Sequence, residues 1–97
     1  MSSEDLTKLP RVEVEWWDTE DDPHWRSKDD AEGKDCPLCF SVGRLVGVYK
    51  DRIVLAPTVH KDECSRTTIP RGCVKAIYQL RRAGLLGKKA YKKMEGK

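Results

Sequence analysis

Residues 40–59, FSVGRLVGVYKDRIVLAPTV, constrain the fold more than any other stretch. Two runs rich in β-branched residues flank the polar pair Lys50-Asp51, which predicts a β-hairpin with its tip there. With Tyr49 facing Arg52, Val48 faces Ile53, Val46 faces Leu55 and Val42 faces Val59 on one side, the ladder a buried face requires. On the other side Gly43 meets Thr58, Leu45 meets Ala56 and Gly47 meets Val54. Glycines at 43 and 47 predict strong bending or the close approach of another backbone, as in small barrels.

Two further segments add strands. In RVEVEWW, Val12, Val14 and Trp16 alternate with Glu13, Glu15 and Trp17, the period of two of a half-buried strand. In IPRGCVKAIYQL, a turn at residues 70–72 leads into residues 73–80, where Val74, Ala76, Tyr78 and Leu80 share a face if the chain is extended. A helix over 73–82 competes, because Val74, Ile77, Tyr78 and Arg81 also fit helical spacing. The β-branched and aromatic content favours the strand. Between the first strand and the hairpin, residues 18–35 are too polar for a core element and form an acidic wrapping loop, with Trp25 expected to pin it to the sheet. His24 in this loop is expected to be exposed.

The fold class that follows is mainly β: a small, strongly bent antiparallel sheet or an Sm/SH3-like β-barrel, residues 1–80, with a short C-terminal helix or tail over 81–97. Leu86, Ala90 and Met94 would share one side of that helix, which Gly84 and Gly87 weaken. At 97 residues one domain with a modest core is expected. No apolar run approaches the ~18 residues of a membrane span. MSSEDLTKLP has neither the basic start nor the apolar segment of a secretory signal, so a cytoplasmic location with reduced cysteines is expected.

Charge is unevenly spread. Residues 1–35 carry −7, residues 36–80 carry +4 and residues 81–97 carry +6. The basic end suits an anionic partner, or simply solvation. Arg52, Arg66, Arg71 and Lys75 surround the bent sheet, with Trp17 and Tyr49 available to stack on a base. The same cations could instead pair with the acidic first third.

Cys36, Cys39, His60 and Cys64 form a Cys-x2-Cys and a His-x3-Cys joined by twenty residues. In the 49/52 register Cys39 falls opposite Asp62 and His60 opposite Ser41, so the four would converge at the hairpin base as ligands of a structural zinc. Separate thiols are the competing reading, since a cysteine is often a small buried hydrophobe and Phe40 stands where a glycine often follows such a pair. Cys73 is expected to pack within the last strand. No catalytic constellation is present: the two histidines lie apart, and GLLGKKA lacks the spacing of a phosphate-binding loop. The chain is expected not to be an enzyme.

The blocks VEWWD, HW, CFSVGRLVG, DRIVLAP and IPRGCVKAIYQL, in that order over most of residues 12–80, resemble a family of short phage and prophage proteins with no settled activity. That resemblance implies a host-cell cytoplasmic setting and a cysteine usually kept at the position of Cys39, with counterparts of Cys36, His60 and Cys64 not required. VGRLVGVYKDRIVLAP followed by IPRGCVKAI also looks similar to Sm-like small barrels, over about 40 residues by length. This implies a homo-oligomer holding RNA or a nucleotide between protomers, although an acidic strand and loop replace the Sm-type N-terminal helix. Two functions follow as expectations. One is a binding module for nucleotide or nucleic-acid phosphates, in a phage setting one that sequesters a host defence signal. The other is an acidic inhibitor or adaptor that docks on a basic host protein. A zinc-stabilised structural module is the remaining alternative.

Overall fold

Alternating burial in Arg11–Trp17 (β1) comes directly from its alternating sequence: Val12 and Val14 are buried, while Arg11, Glu13 and Glu15 line the other face. The structure, a computed structural model, describes residues 5–19, 24–32 and 36–96. After β1 come a one-turn helix Lys28–Glu32 (α1), then Leu38–Val48 (β2) and Arg52–Ala56 (β3). Two short strands, Val59–His60 (β4) and Glu63–Cys64 (β5), pair only with each other. Thr67–Pro70 (β6), a 3-10 turn Arg71–Cys73, Val74–Gln79 (β7) and the helix Lys88–Lys93 (α2) complete the chain. Among the described residues no helix is long and apolar enough to cross a membrane.

The main sheet is antiparallel, in the order β6-β3-β2-β1-β7. Its two outer strands are consecutive in the chain, linked only by the three residues Arg71–Cys73. A link that short forces the sheet to curl until its outer strands meet at one corner. Among the described residues no ladder joins β6 to β7, so the result is a strongly bent sheet rather than a closed barrel. The segment 73–82 is therefore not a helix: Val74–Gln79 is strand, and Cys73 lies in the 3-10 turn, half-buried.

β2 carries the bend. Its first part pairs with β1, from Trp17↔Leu38 to Arg11↔Arg44, and its second part pairs with β3. At the hairpin tip the expected register holds, with Val48 opposite Ile53 and Gly47 opposite Val54. A bulge at Val46 then shifts it by one residue: Leu45, not Val46, faces Leu55, and Arg44, not Leu45, faces Ala56. A bulge adds local twist, which lets one strand serve two differently directed partners. Val42 consequently faces Glu13 rather than Val59, and it is exposed.

The core is small, made of Val12, Val14, Ile53, Leu55 and Ile69, with Trp16, Leu45 and Val74 packed against it. Trp16 satisfies its indole by donating Nε1–H to Ser41 Oγ at 3.0 Å. At Gly43 a Cβ would lie 3.0 Å from the Ala56 carbonyl oxygen and 3.2 Å from the Pro57 nitrogen, so the glycine admits the chain leaving β3. Trp25 does not pin the acidic segment. Its relative exposure is 102%, and α1, with Asp29, Asp30 and Glu32, is exposed throughout. A run so rich in carboxylates offers no apolar neighbour beside which an indole could be buried. At the C-terminus Gly87 caps α2, leaving Leu86 outside the helix and Leu85, Leu86 and Met94 exposed.

Candidate functional site

The hairpin tip is built on a glycine. A Cβ on Gly47 would sit 2.7 Å from the ring of Tyr49, so its absence makes the bed on which that ring lies. On the ring rests Arg52, its guanidinium carbon 4.3 Å from the centroid, with Nη1 also donating to Asp51 Oδ1 at 2.8 Å. A cation over an aromatic face at this range is attracted by the ring quadrupole. Arg71 ties the tip to the 3-10 turn: its backbone N–H donates to the Asp51 carbonyl (3.0 Å) and its Nη1 to the Tyr49 carbonyl (3.2 Å).

Across that turn begins a second aromatic and cationic pair. A bulge places Lys75 between Val74, opposite Trp16, and Ala76, opposite Glu15. Its ammonium lies 5.7 Å from the Trp17 ring centroid and 4.0 Å from Glu15 Oε2. Three residues of 3-10 helix advance only about 6 Å, so the Tyr49, Arg52 and Arg71 group and the Lys75 and Trp17 pair share one corner of the sheet. Trp17 is 42% and Tyr49 44% exposed, leaving ring surface open beside three cations. Of the six residues singled out in the sequence, Arg52 and Arg71 each contact Tyr49 at the tip, and Lys75 pairs with Trp17 on the other side of the 3-10 turn. Arg66 lies exposed before the end of β6 that pairs with Leu55, away from the tip.

The predicted metal register is not formed. Cys39 lies opposite Trp16 rather than Asp62, with its thiol 3.9 Å from the Pro37 carbonyl, and Ser41 lies opposite Val14 rather than His60. His60 faces Glu63, and Cys64 faces Val59, in the small β4–β5 hairpin. The β2–β3 ladder stops at Ala56 because Pro57 has no N–H to extend it, so the chain leaves before the hairpin base is reached. Cys36 is exposed, all four cysteines are free, and among the described residues no three His, Cys, Asp or Glu side chains are grouped to hold a metal ion.

Residues that went unnoticed in the sequence lie on the outward face of β1, β2 and β7. Phe40 is 59% and Tyr78 50% exposed there, flanking Glu15 and Glu13. Where that face ends, Arg11 and Arg44 stand directly opposite one another. Alternation within each strand was readable, but the register between β1 and β2 carries no local sequence signal. Comparison with protein-family models, with curated proteins and with solved structures found no match.

Proposed function

We propose that the chain is a non-enzymatic binding module that holds a nucleotide or nucleic-acid phosphate at the corner formed by Trp17, Tyr49, Arg52, Arg71 and Lys75. The observation that carries this reading is the Arg52–Tyr49 stack, tied down by Arg71 and one helical turn from Lys75 over Trp17. Guanidinium groups match phosphate oxygens in pairs, and open aromatic faces accept a base whatever its sequence. Arg52 keeps donors beyond its contact with Asp51, and Arg71 keeps donors beyond its contact with Tyr49. In a phage setting the same corner would keep a host nucleotide signal from its effector. A second copy of the chain would add at the free edge of β6 or β7.

The test is thermal unfolding with a panel of nucleoside triphosphates, cyclic nucleotides and short single-stranded RNA, followed by titration in rising salt. A ligand at 100 times its Kd stabilises the folded state by about 2.7 kcal/mol. Arg71→Gln and Lys75→Gln are expected to weaken binding and to flatten its salt dependence. A panel that leaves the melting temperature unmoved at millimolar ligand overturns the reading.

The acidic segment favours one other function. Trp25 is exposed next to α1, whose first turn carries Asp29 and Asp30, a combination that suits a basic protein surface. Capture of such a partner, lost in high salt and lost in Trp25→Ala, with no response to nucleotides, would select it.

A further inference from the structure

Arg11 and Arg44 occupy directly opposed positions at the end of the β1–β2 ladder, an arrangement that by itself is unfavourable, because like charges face each other across the strands. Both are only half-exposed. Neither has an ion pair with an acidic side chain among the described residues. Asp5 lies near enough for Arg44 to favour its charged form slightly, but its Oδ1 accepts from the amide and hydroxyl of Thr7 and makes no ion pair with Arg44. Arg44 is held by one bond, Nη1 to the Leu9 carbonyl at 2.8 Å, which fixes the guanidinium and leaves its other donors free. Both arginines border a concavity of about 340 Å³ whose far wall is Pro57, Thr58 and Val59. Two cations side by side at a concave site, one of them pre-oriented, make a receptor for an oxyanion.

On the same face, six residues along β1 from Arg11, lies Trp17 with Lys75 above it. Six steps of strand span about 20 Å. We infer that Arg11 and Arg44 form a second phosphate subsite, and that the ligand of this protein is a single strand of nucleic acid long enough to reach from the Lys75 corner to it. The inference rests on the proposed function above. The carboxylates of Glu13 and Glu15 lie between the two ends, so the intervening phosphates must face solvent and the bases must face the sheet, where Phe40 and Tyr78 offer stacking surface. At the stacked rise of about 3.4 Å per nucleotide, the span corresponds to about six nucleotides.

Titrations of 5′-phosphorylated oligothymidylates two and eight nucleotides long test this, on wild type, Arg11→Gln and the double variant Arg11→Gln/Arg44→Gln. Wild type is expected to bind the eight-mer at least about tenfold tighter than the two-mer, within the range of a second linked contact. The variants are expected to bind the two-mer as wild type does and to lose most of that gain. Removing two phosphate contacts lowers the salt slope by about 1.4 for a single strand. Arg11→Gln, which disturbs no hydrogen bond described for the fold, stands in if the double variant fails to fold; without ligand it should melt no lower than wild type. Equal binding of the eight-mer by wild type and variants overturns the second subsite and leaves the corner standing. No binding of either oligomer by wild type overturns both.

Discussion

Three glycines in this chain face three different surroundings, and one methyl group added to each should give three different outcomes. Alanine at 43 puts a Cβ 3.0 Å from the Ala56 carbonyl oxygen, 3.1 Å from its carbon and 3.2 Å from the Pro57 nitrogen. All three are backbone atoms. Ala56 is held in the β2–β3 ladder and Pro57 has a locked φ, so neither can move without stretching the bend of the sheet. Overpacking of this kind costs about 1–3 kcal/mol. For a domain of this size each kcal/mol moves the melting point by about 4–8 °C, so Gly43→Ala should melt roughly 10 °C lower. Alanine at 47 meets only the far end of the Tyr49 side chain, 2.7 Å away, and that ring can swing clear. The loss is then the Arg52 contact, worth about 0.5–1 kcal/mol at an exposed site, and the corner that the proposed ligand uses. Gly72, with nothing within 4 Å, should accept alanine with no cost or a gain of about 0.4–1 kcal/mol. Urea and thermal unfolding followed by circular dichroism measure all three. If Gly43→Ala proves as stable as Gly72→Ala, the close approach of the chain leaving β3 to Gly43, and with it the account of the bend, is wrong.

Other outcomes follow from single residues. Ile69→Ala, at a fully buried position opposite Ile53 in a core this small, should cost about 2–5 kcal/mol in urea unfolding. Lys61 adopts a φ of 40° while its carbonyl accepts from the Leu6 N–H at 2.7 Å, so Lys61→Gly should raise stability by up to about 1 kcal/mol without altering that bond. Asp5 has its carboxyl held below the usual value by the Thr7 hydroxyl and then the Thr7 amide. Its contribution is therefore complete above pH 3.8 and disappears as pH falls through the lowered folded-state value; Asp5→Asn should lose this acid-limb dependence in unfolding curves at stepped pH. With Cys39 on β2 opposite Trp16, and His60 and Cys64 in the separate β4–β5 hairpin, one equivalent of zinc should leave the melting temperature unchanged, measured by scanning calorimetry after chelator treatment.

How far the fold was legible follows the range of the interactions. The alternation of Val12, Val14 and Trp16, and the hairpin tip at Lys50-Asp51, are written in neighbouring residues and are found as expected. The single extra residue at Val46 is not, because a bulge needs only one strand to be longer by one, and no side chain there announces it. That shift undid the alignment of Val42 with Val59, and Pro57, readable as a missing donor, undid the approach of His60 to the cysteine pair. Trp25 was placed against the sheet on its hydrophobicity alone, but nothing in the acidic segment around it could complete a pocket. Arg71 and Lys75 flank a turn that is visible in the sequence, whereas Arg11 and Arg44 become neighbours only through the pairing of distant strands.

The last strand of the sheet lies against the first. β1 gains its second hydrogen-bonded neighbour only when residues 74–79 arrive, some sixty positions later in the chain. During synthesis, and in any fragment that ends before Val74, the N-terminal strand presents a bare edge together with the aliphatic side of Val12 and Val14, a template for stray pairing between molecules. Shortening the protein from its C-terminal side is thus expected to yield inclusion bodies as soon as β7 is breached, while removal of residues beyond it is borne without aggregation.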